Sequence, residues 1–260
     1  MKLFKPALAG LLYIKESYHG FREVHLGESP LRVLPYDRKF WDSVDVGQWE
    51  PETLQLYESV ISPGMQYCDI GAWIGPTVLY ARHCGARVTC FEPDPLAYER
   101  LLGNLRLNGA LDVRTFQIAL GESDSTRTMG ALVGSLGKSA TSLLGASAQQ
   151  KVNVTGLTWK TAQTLLGLPV FQFIKIDIEG GEVELLPTMF DYLREFRPVV
   201  LLSTHWHFLS DSGRSSLLDS LAALGQLYPG SVALGKNEPY AIDFSDPLTP
   251  SRQSQYFLKP

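Results

Sequence analysis

The sequence predicts an open, doubly wound α/β sheet, mostly parallel, with helices on both faces and an N-terminal cap. Three features carry that expectation. Short apolar runs of strand length alternate with runs of helical spacing from residue 66 onward, the pattern of repeated βαβ units. Proline and glycine punctuate the junctions, as in Ser62-Pro63-Gly64 and Gly75-Pro76, where helices stop and start. The 260 residues are 45% hydrophobic and 19% charged, which suits one large core. That composition excludes a disordered chain, a collagen-like fibre and a small disulfide scaffold.

Residues 1–45 are mixed aromatic, basic and proline-punctuated (Pro30, Pro35), with short strands suggested over 24–34. They read as a cap segment, and residues 46–260 as one domain. Leu54, Leu56, Tyr57, Val60 and Ile61 give 52–61 helical spacing. The alternation then runs strand 66–70, helix 76–84, strand 87–91, helix 95–108 closed by Gly109, and strand 113–119. Residues 121–150 hold five Gly, six Ser and three Thr without sustained periodicity, so they are expected to form a mobile loop over a site. Strands at 152–157, 171–178 and 198–203, helices at 159–166, 182–196 and 215–224, and short strands at 232–234 and 255–258 complete the pattern.

The net charge of −4 gives no basic surface for nucleic acid. With a mean hydropathy of −0.02 and no uninterrupted apolar window of spanning length, no membrane helix is expected. The apolar run 6–14 lacks a small-residue cleavage site and is expected to remain in the mature chain. Cys68, Cys84 and Cys90 have no metal-ligand spacing and read as apolar side chains in a reducing, cytoplasmic setting.

In such sheets ligands lie beyond the carboxyl ends of the strands. The first of those strands ends in Asp69-Ile-Gly71-Ala72-Trp73-Ile-Gly75-Pro76. Gly71 and Gly75 allow a tight turn and close approach of a ligand, and Pro76 suits a helix's first turn. Twenty-one residues after Gly71, the next strand closes with Glu92-Pro93, where an acid is placed to accept hydrogen bonds from the hydroxyls of an adenosine ribose. The loop lacks the G-x-G-x-x-G of dinucleotide sites, and Asp69 is unfavourable beside a pyrophosphate but favourable beside an ammonium and a sulfonium. The loop chemistry therefore prefers S-adenosylmethionine to a nicotinamide dinucleotide. Trp73 either covers a ligand or packs on the cap.

Alternation over 171–179 puts Lys175, Asp177 and Glu179 on one face. Lys175 reads as a structural counter-ion, while Asp177 and Glu179 stand at a ligand-bearing strand end as site acids. Glu182 opens the next helix, where its charge suits the dipole. Strand 198–203 runs into Thr204-His205-Trp206-His207. A neutral His205 suits proton removal from a hydroxyl. Alternatively Asp177, His205 and His207 hold a divalent metal such as magnesium, or His205 is a capped core residue. His19, His25 and His83 have no such setting.

Asp69-Ile-Gly-Ala-Trp-Ile-Gly75, Phe91-Glu-Pro-Asp94, Asn104 with Asn108, and Lys175-Ile-Asp-Ile-Glu-Gly-Gly-Glu182 together resemble the FkbM family of S-adenosylmethionine-dependent methyltransferases, from about residue 50 to about 207. The resemblance implies a Rossmann-like class I methyltransferase fold and a small-molecule hydroxyl, on a sugar or polyketide, as acceptor. Under it Asp69, Gly71, Ala72, Trp73, Gly75, Glu92, Pro93, Asn104, Ala119 and Asp177 contact the cofactor, and Thr141-Ser142-Leu143 matches the family's serine segment. His205, Asp177 and Glu179 are the candidate catalytic residues. The chain departs from the family at Leu157-Thr158, where Leu-Asp is usual, and at Ser203-Thr204-His205, where a glutamate is frequent. A nicotinamide-dependent oxidoreductase and a catalytically idle adenosyl-binding module are the competing classes, and a homo-oligomer is compatible with all three.

Overall fold

A computed structural model describes residues 20–132, 134–234, 239–244, 246, 248–252 and 254–260. The run 6–14 and His19 fall outside them. The cap begins with a hairpin, β1 (Arg22–Leu26) and β2 (Ser29–Val33), followed by helix α1 (Arg38–Asp45). Both hairpin strands alternate buried and exposed, so one face lies on the core. Helix α2 (Pro51–Val60) starts on a proline and leads into the main sheet.

That sheet contains β3 (Gln66–Ile70), β4 (Arg87–Phe91), β5 (Arg114–Phe116), β10 (Phe173–Ile176), β11 (Val199–Ser203), β12 (Val232–Ala233), β13 (Tyr240–Ala241) and β14 (Gln255–Leu258), in the order β13-β12-β14-β11-β10-β3-β4-β5. From β11 to β5 every pairing is parallel, and β14 pairs antiparallel with both β11 and β12. Helices α3 (Pro76–His83), α4 (Pro95–Leu107), α5 (Trp159–Leu166), α6 (Glu182–Phe196) and α7 (Asp211–Leu227) cover the two faces, and a short α8 (Thr249–Arg252) precedes β14. Side chains alternate as a pleat requires. Tyr67, Cys90, Phe173 and Leu201 join one core with the cap, α2, α3 and α4. Cys68, Phe91, Ile174 and Leu202 join a second core with α5, α6 and α7. Caps define the helix starts: Asp94 accepts hydrogen bonds from the Leu96 and Ala97 amides, and Thr158 from that of Thr161.

Three expectations need correction. The third strand, placed at 113–119, breaks at residue 117, and its second half, β6 (Ala119–Leu120), leaves the main sheet. Residues 121–150 are not an unstructured loop. They contain β7 (Ser125–Ala131) and β8 (Thr141–Ser142), which with β6 and β9 (Lys151–Leu157) form a separate sheet ordered β6-β9-β7-β8. Six residue pairs in antiparallel register join β7 to β9, so backbone pairing supplies what apolar periodicity lacks. Arg127 of β7 fastens this sheet to α6 by donating to both carboxylate oxygens of Glu184, at 3.0 and 2.7 Å. Finally, the strand placed at 171–178 is only Phe173–Ile176, so Asp177 and Glu179 belong to the turn that follows it.

Candidate active site

The glycine loop takes its shape from three consecutive demands on the backbone. Gly71 (φ 90°) lies so close to the neighbouring strand end that a Cβ there would sit 1.9 Å from the Asp177 carbonyl oxygen. Trp73 adopts a left-handed φ of 47°, uncommon for a bulky residue. It is held by its amide, which donates to Glu92 Oε2 at 2.8 Å, and by its indole Nε1, which donates to the Gly137 carbonyl at 3.0 Å. Gly75 (φ 92°) precedes α3, where a Cβ would meet Leu101 at 2.6 Å.

Beneath the loop, Asp69 is fully buried, 0% exposed. Oδ2 accepts hydrogen bonds from Thr77 (2.6 Å) and Tyr67 (3.0 Å), and Oδ1 faces Lys175 Nζ at 3.3 Å. Lys175 Nζ also lies 3.4 Å from Asp177 Oδ2. Burial works against the ammonium, but the Asp69 and Asp177 charges outweigh it and raise the Lys175 pKa. Lys175 is thus the structural counter-ion expected.

Glu92 is 7% exposed and accepts the Trp73 and Asp94 amides, each at 2.8 Å. Burial lifts its carboxyl to about 7, against the pull of those two amides. It lines a cavity of about 60 Å³ together with Pro93, Ile118 and Ala119. A larger cavity of about 1250 Å³ opens beside it, walled by Phe40 and Trp49 of the cap region, Ala72 and His207. Gly71, Trp73, Lys138, Ser139, Asp177 and Glu179 line both cavities.

At that shared wall stands a tight ionic cluster. His205 Nε2 lies 3.5 Å from Asp177 Oδ1 and 3.4 Å from Glu179 Oε2, and Nδ1 lies 2.9 Å from Glu182 Oε1. Burial disfavours the imidazolium, yet the Glu182 hydrogen bond and the surrounding acids prevail and raise the His205 pKa to about 9. Burial also raises Glu179 to about 7, partly offset by His205. For Asp177, burial is outweighed by Lys175 and His205, which lower it. The three carboxylates thus favour the imidazolium over the neutral ring expected from the sequence.

Residues 69–226 match the model of the methyltransferase FkbM domain, more than half of the chain. The chain belongs to the FkbM methyltransferase family. It is similar in structure to an FkbM methyltransferase from Methylobacillus flagellatus KT, with 16% identity and a TM-score of 0.49 over 81% of this chain and 51% of that one. It is also similar to the Pyrococcus abyssi tRNA (uracil-54, C5)-methyltransferase solved with S-adenosyl-L-homocysteine (12% identity, TM-score 0.46, 92% of this chain and 44% of that one). A third similar structure is a precorrin-6y C5,15-methyltransferase from Geobacter metallireducens GS-15 (13%, 0.41, 80% and 86%). The chain spans about half the length of the first two. No curated protein matches it.

Within this FkbM domain, Gly71, Ala72, Trp73, Glu92, Pro93, Ala119, Asp177, Glu179, His205 and His207 all reach cavity walls, while Asp69, Gly75 and Asn104 reach neither cavity. Asp69, expected beside the ligand's ammonium, has its oxygens engaged by Lys175, Tyr67 and Thr77. Asn104 was expected at the cofactor; it accepts the Leu34 amide at 2.7 Å and donates to the Ile74 carbonyl at 2.8 Å. One turn on, Asn108 brackets Arg32 in the same way, so the asparagine pair docks the cap hairpin on α4. His207 is exposed, its ring centroid 6.3 Å from that of His205, and it is not part of the donor set that Glu179 completes with Asp177 and His205.

Glu182 is a member of this cluster that the sequence reading did not place there. It is 1% exposed and spends one oxygen on His205 and on the Ile178 amide at 3.1 Å. Its signal is an acid three residues after Glu179 across two glycines, but a first-turn glutamate equally suits a helix dipole. Ser142, in the serine segment, donates to the Glu179 carbonyl at 2.7 Å and so joins the side sheet to the cluster.

Proposed function

We propose that the chain transfers a methyl group from S-adenosylmethionine to a hydroxyl of a small molecule, in a reducing cytoplasm. One observation carries this reading: a glycine loop and Glu92 at the small cavity adjoin, through a shared wall, an acid–histidine cluster facing a large one. The small cavity takes the adenosyl part, with the ribose on Glu92, and the sulfonium points at the shared wall. The hydroxyl oxygen attacks the methyl carbon in line, the carbon–sulfur bond breaks to leave S-adenosylhomocysteine, and the hydroxyl proton is taken up by the Asp177–Glu179–His205 cluster. Most of the acceleration comes from positioning the two reactants. Phe40 supports the acceptor side, its ring centroid 5.3 Å from Trp49 and 4.6 Å from Trp73, both edge-to-face.

Glu92→Ala is expected to weaken S-adenosylhomocysteine binding by about 1–3 kcal/mol, read by calorimetry with NAD as the negative control. Unchanged affinity in a folded variant removes the ribose assignment. Glu92 also predicts a proton count. Its folded value of about 7 stands above the ordinary 4.5, so it favours the folded state fully below 4.5 and loses that contribution as pH rises through 7. Ribose hydroxyls donate to the ionised form. At pH 6, binding should therefore release about one proton, read from binding enthalpies in buffers of different ionisation heat. Glu92→Gln should abolish that release; its persistence assigns the proton elsewhere.

A further inference from the structure

The geometry points to a divalent-cation site of the Mn²⁺ type made by Asp177, Glu179 and His205, which holds an acceptor carrying two neighbouring oxygens. This rests on the methyl-transfer reading only for the identity of that acceptor; the cation site stands on its own residues. Each of the three side chains offers one ligand atom, and those atoms lie within 4.8 Å of one another. His205 divides its two nitrogens: Nδ1 is engaged by Glu182, itself 1% exposed, and Nε2 is turned toward the two carboxylates. Histidines that bind metals are oriented in this manner, the far nitrogen donating to a carboxylate so that the near one presents its lone pair.

Asp177 divides its oxygens likewise. Oδ2 serves Lys175 and Oδ1 faces His205, so structural and ligand duties fall on different atoms. Glu179 has a left-handed φ of 54° with Gly180 at φ 96° behind it, and its carbonyl is fixed by Ser142. That turn brings its carboxylate back over the strand end instead of out to solvent. The surroundings are rich in negative charge. Asp69, Asp177, Glu179 and Glu182 stand directly around Lys175 and His205. Glu50 lines the same large cavity, whose other cations, Arg38, Lys39 and Lys138, make no ion pair with Asp177, Glu179 or Glu182 among the described contacts.

A mixed set of one imidazole nitrogen and two carboxylate oxygens is open to a first-row transition ion such as Mn²⁺, whereas Ca²⁺ and Mg²⁺ prefer all-oxygen shells. Three protein ligands leave half of an octahedron open toward the large cavity. Two adjacent oxygens of an acceptor, as in a vicinal diol, fill two of those positions and select acceptors by chelation.

The test is Mn²⁺ binding to metal-stripped protein, followed by electron paramagnetic resonance, with S-adenosylhomocysteine binding measured on the same samples. A single saturable Mn²⁺ site is expected, weakened tenfold or more in Glu179→Gln. Glu182→Gln never touches the ion, yet it should weaken binding about 10- to 100-fold, and His207→Ala should leave it unchanged. No Mn²⁺ uptake at about 1 mM by protein that still binds S-adenosylhomocysteine overturns the cation site and leaves the methyl-donor reading standing. Wild-type affinity in both Glu179→Gln and Glu182→Gln overturns it too. Mn²⁺ binding with these sensitivities but without S-adenosylhomocysteine binding upholds the site and overturns the donor.

Discussion

Lys175→Met is expected to destabilise the protein by about 3–5 kcal/mol, the cost of leaving a buried carboxylate without its cation. Asp69 has no solvent to turn to, being 0% exposed. After the substitution it keeps the Tyr67 and Thr77 hydroxyls but no charge of opposite sign. Methionine matches the length and apolar stem of lysine, so the loss reads electrostatics and not a cavity. The double variant Asp69→Asn/Lys175→Met should recover part of the loss, because neither charge is then buried alone. Urea midpoints of the wild type, both single variants and the double variant give the cycle. A cost below about 1 kcal/mol for Lys175→Met would show that Asp69 draws its support from elsewhere.

His205→Ala is expected to lower turnover by about 10²-fold or more while S-adenosylhomocysteine affinity stays close to that of the wild type. The side chain lies against Asp177, Glu179 and Glu182 and away from the Glu92 cavity, so its loss strikes where the acceptor reacts and not where the adenosyl part sits. Removing the imidazole also leaves Glu182 buried without that partner, so His205→Gln, which keeps a donor in place, separates a folding defect from a catalytic one. Full turnover in either folded variant takes the reaction away from this cluster.

Much of the frame was legible because its physics is local. Parallel strands buried on both faces must be short apolar runs, and 66–70, 87–91 and 198–203 stood out for that reason. Gly71 and Gly75 announced positive φ, and an acid closing β4 announced Glu92. What stayed hidden depends on partners remote in sequence. Lys175 is 106 residues from Asp69, and nothing near Asp69 says that its charge is already spent. The side sheet escaped notice because β7 reads Ser-Thr-Arg-Thr-Met-Gly-Ala, and only its pairing with β9 turns those residues into a strand. The pull on His205 toward its charged form was not legible because its strongest source is Glu182, 23 residues away.

The place of β14 sets an order of assembly. It follows β12 in the chain, yet it lies between β11 and β12 in the sheet, so β12 and β13, which pair with each other, cannot join the main sheet until β14 has been made. On a ribosome the parallel half, β3 to β5 with β10 and β11, can form while that antiparallel flap waits, a delay of the kind long-range pairing imposes. Gln255, the first residue of β14, lines the large cavity, and the neighbouring Ser254 carbonyl accepts the Thr204 amide at 2.6 Å, one residue before His205. That wall of the large cavity is therefore completed only after β14 has been made, and a nascent chain already carrying Asp177, Glu179 and His205 still lacks part of the chamber they face.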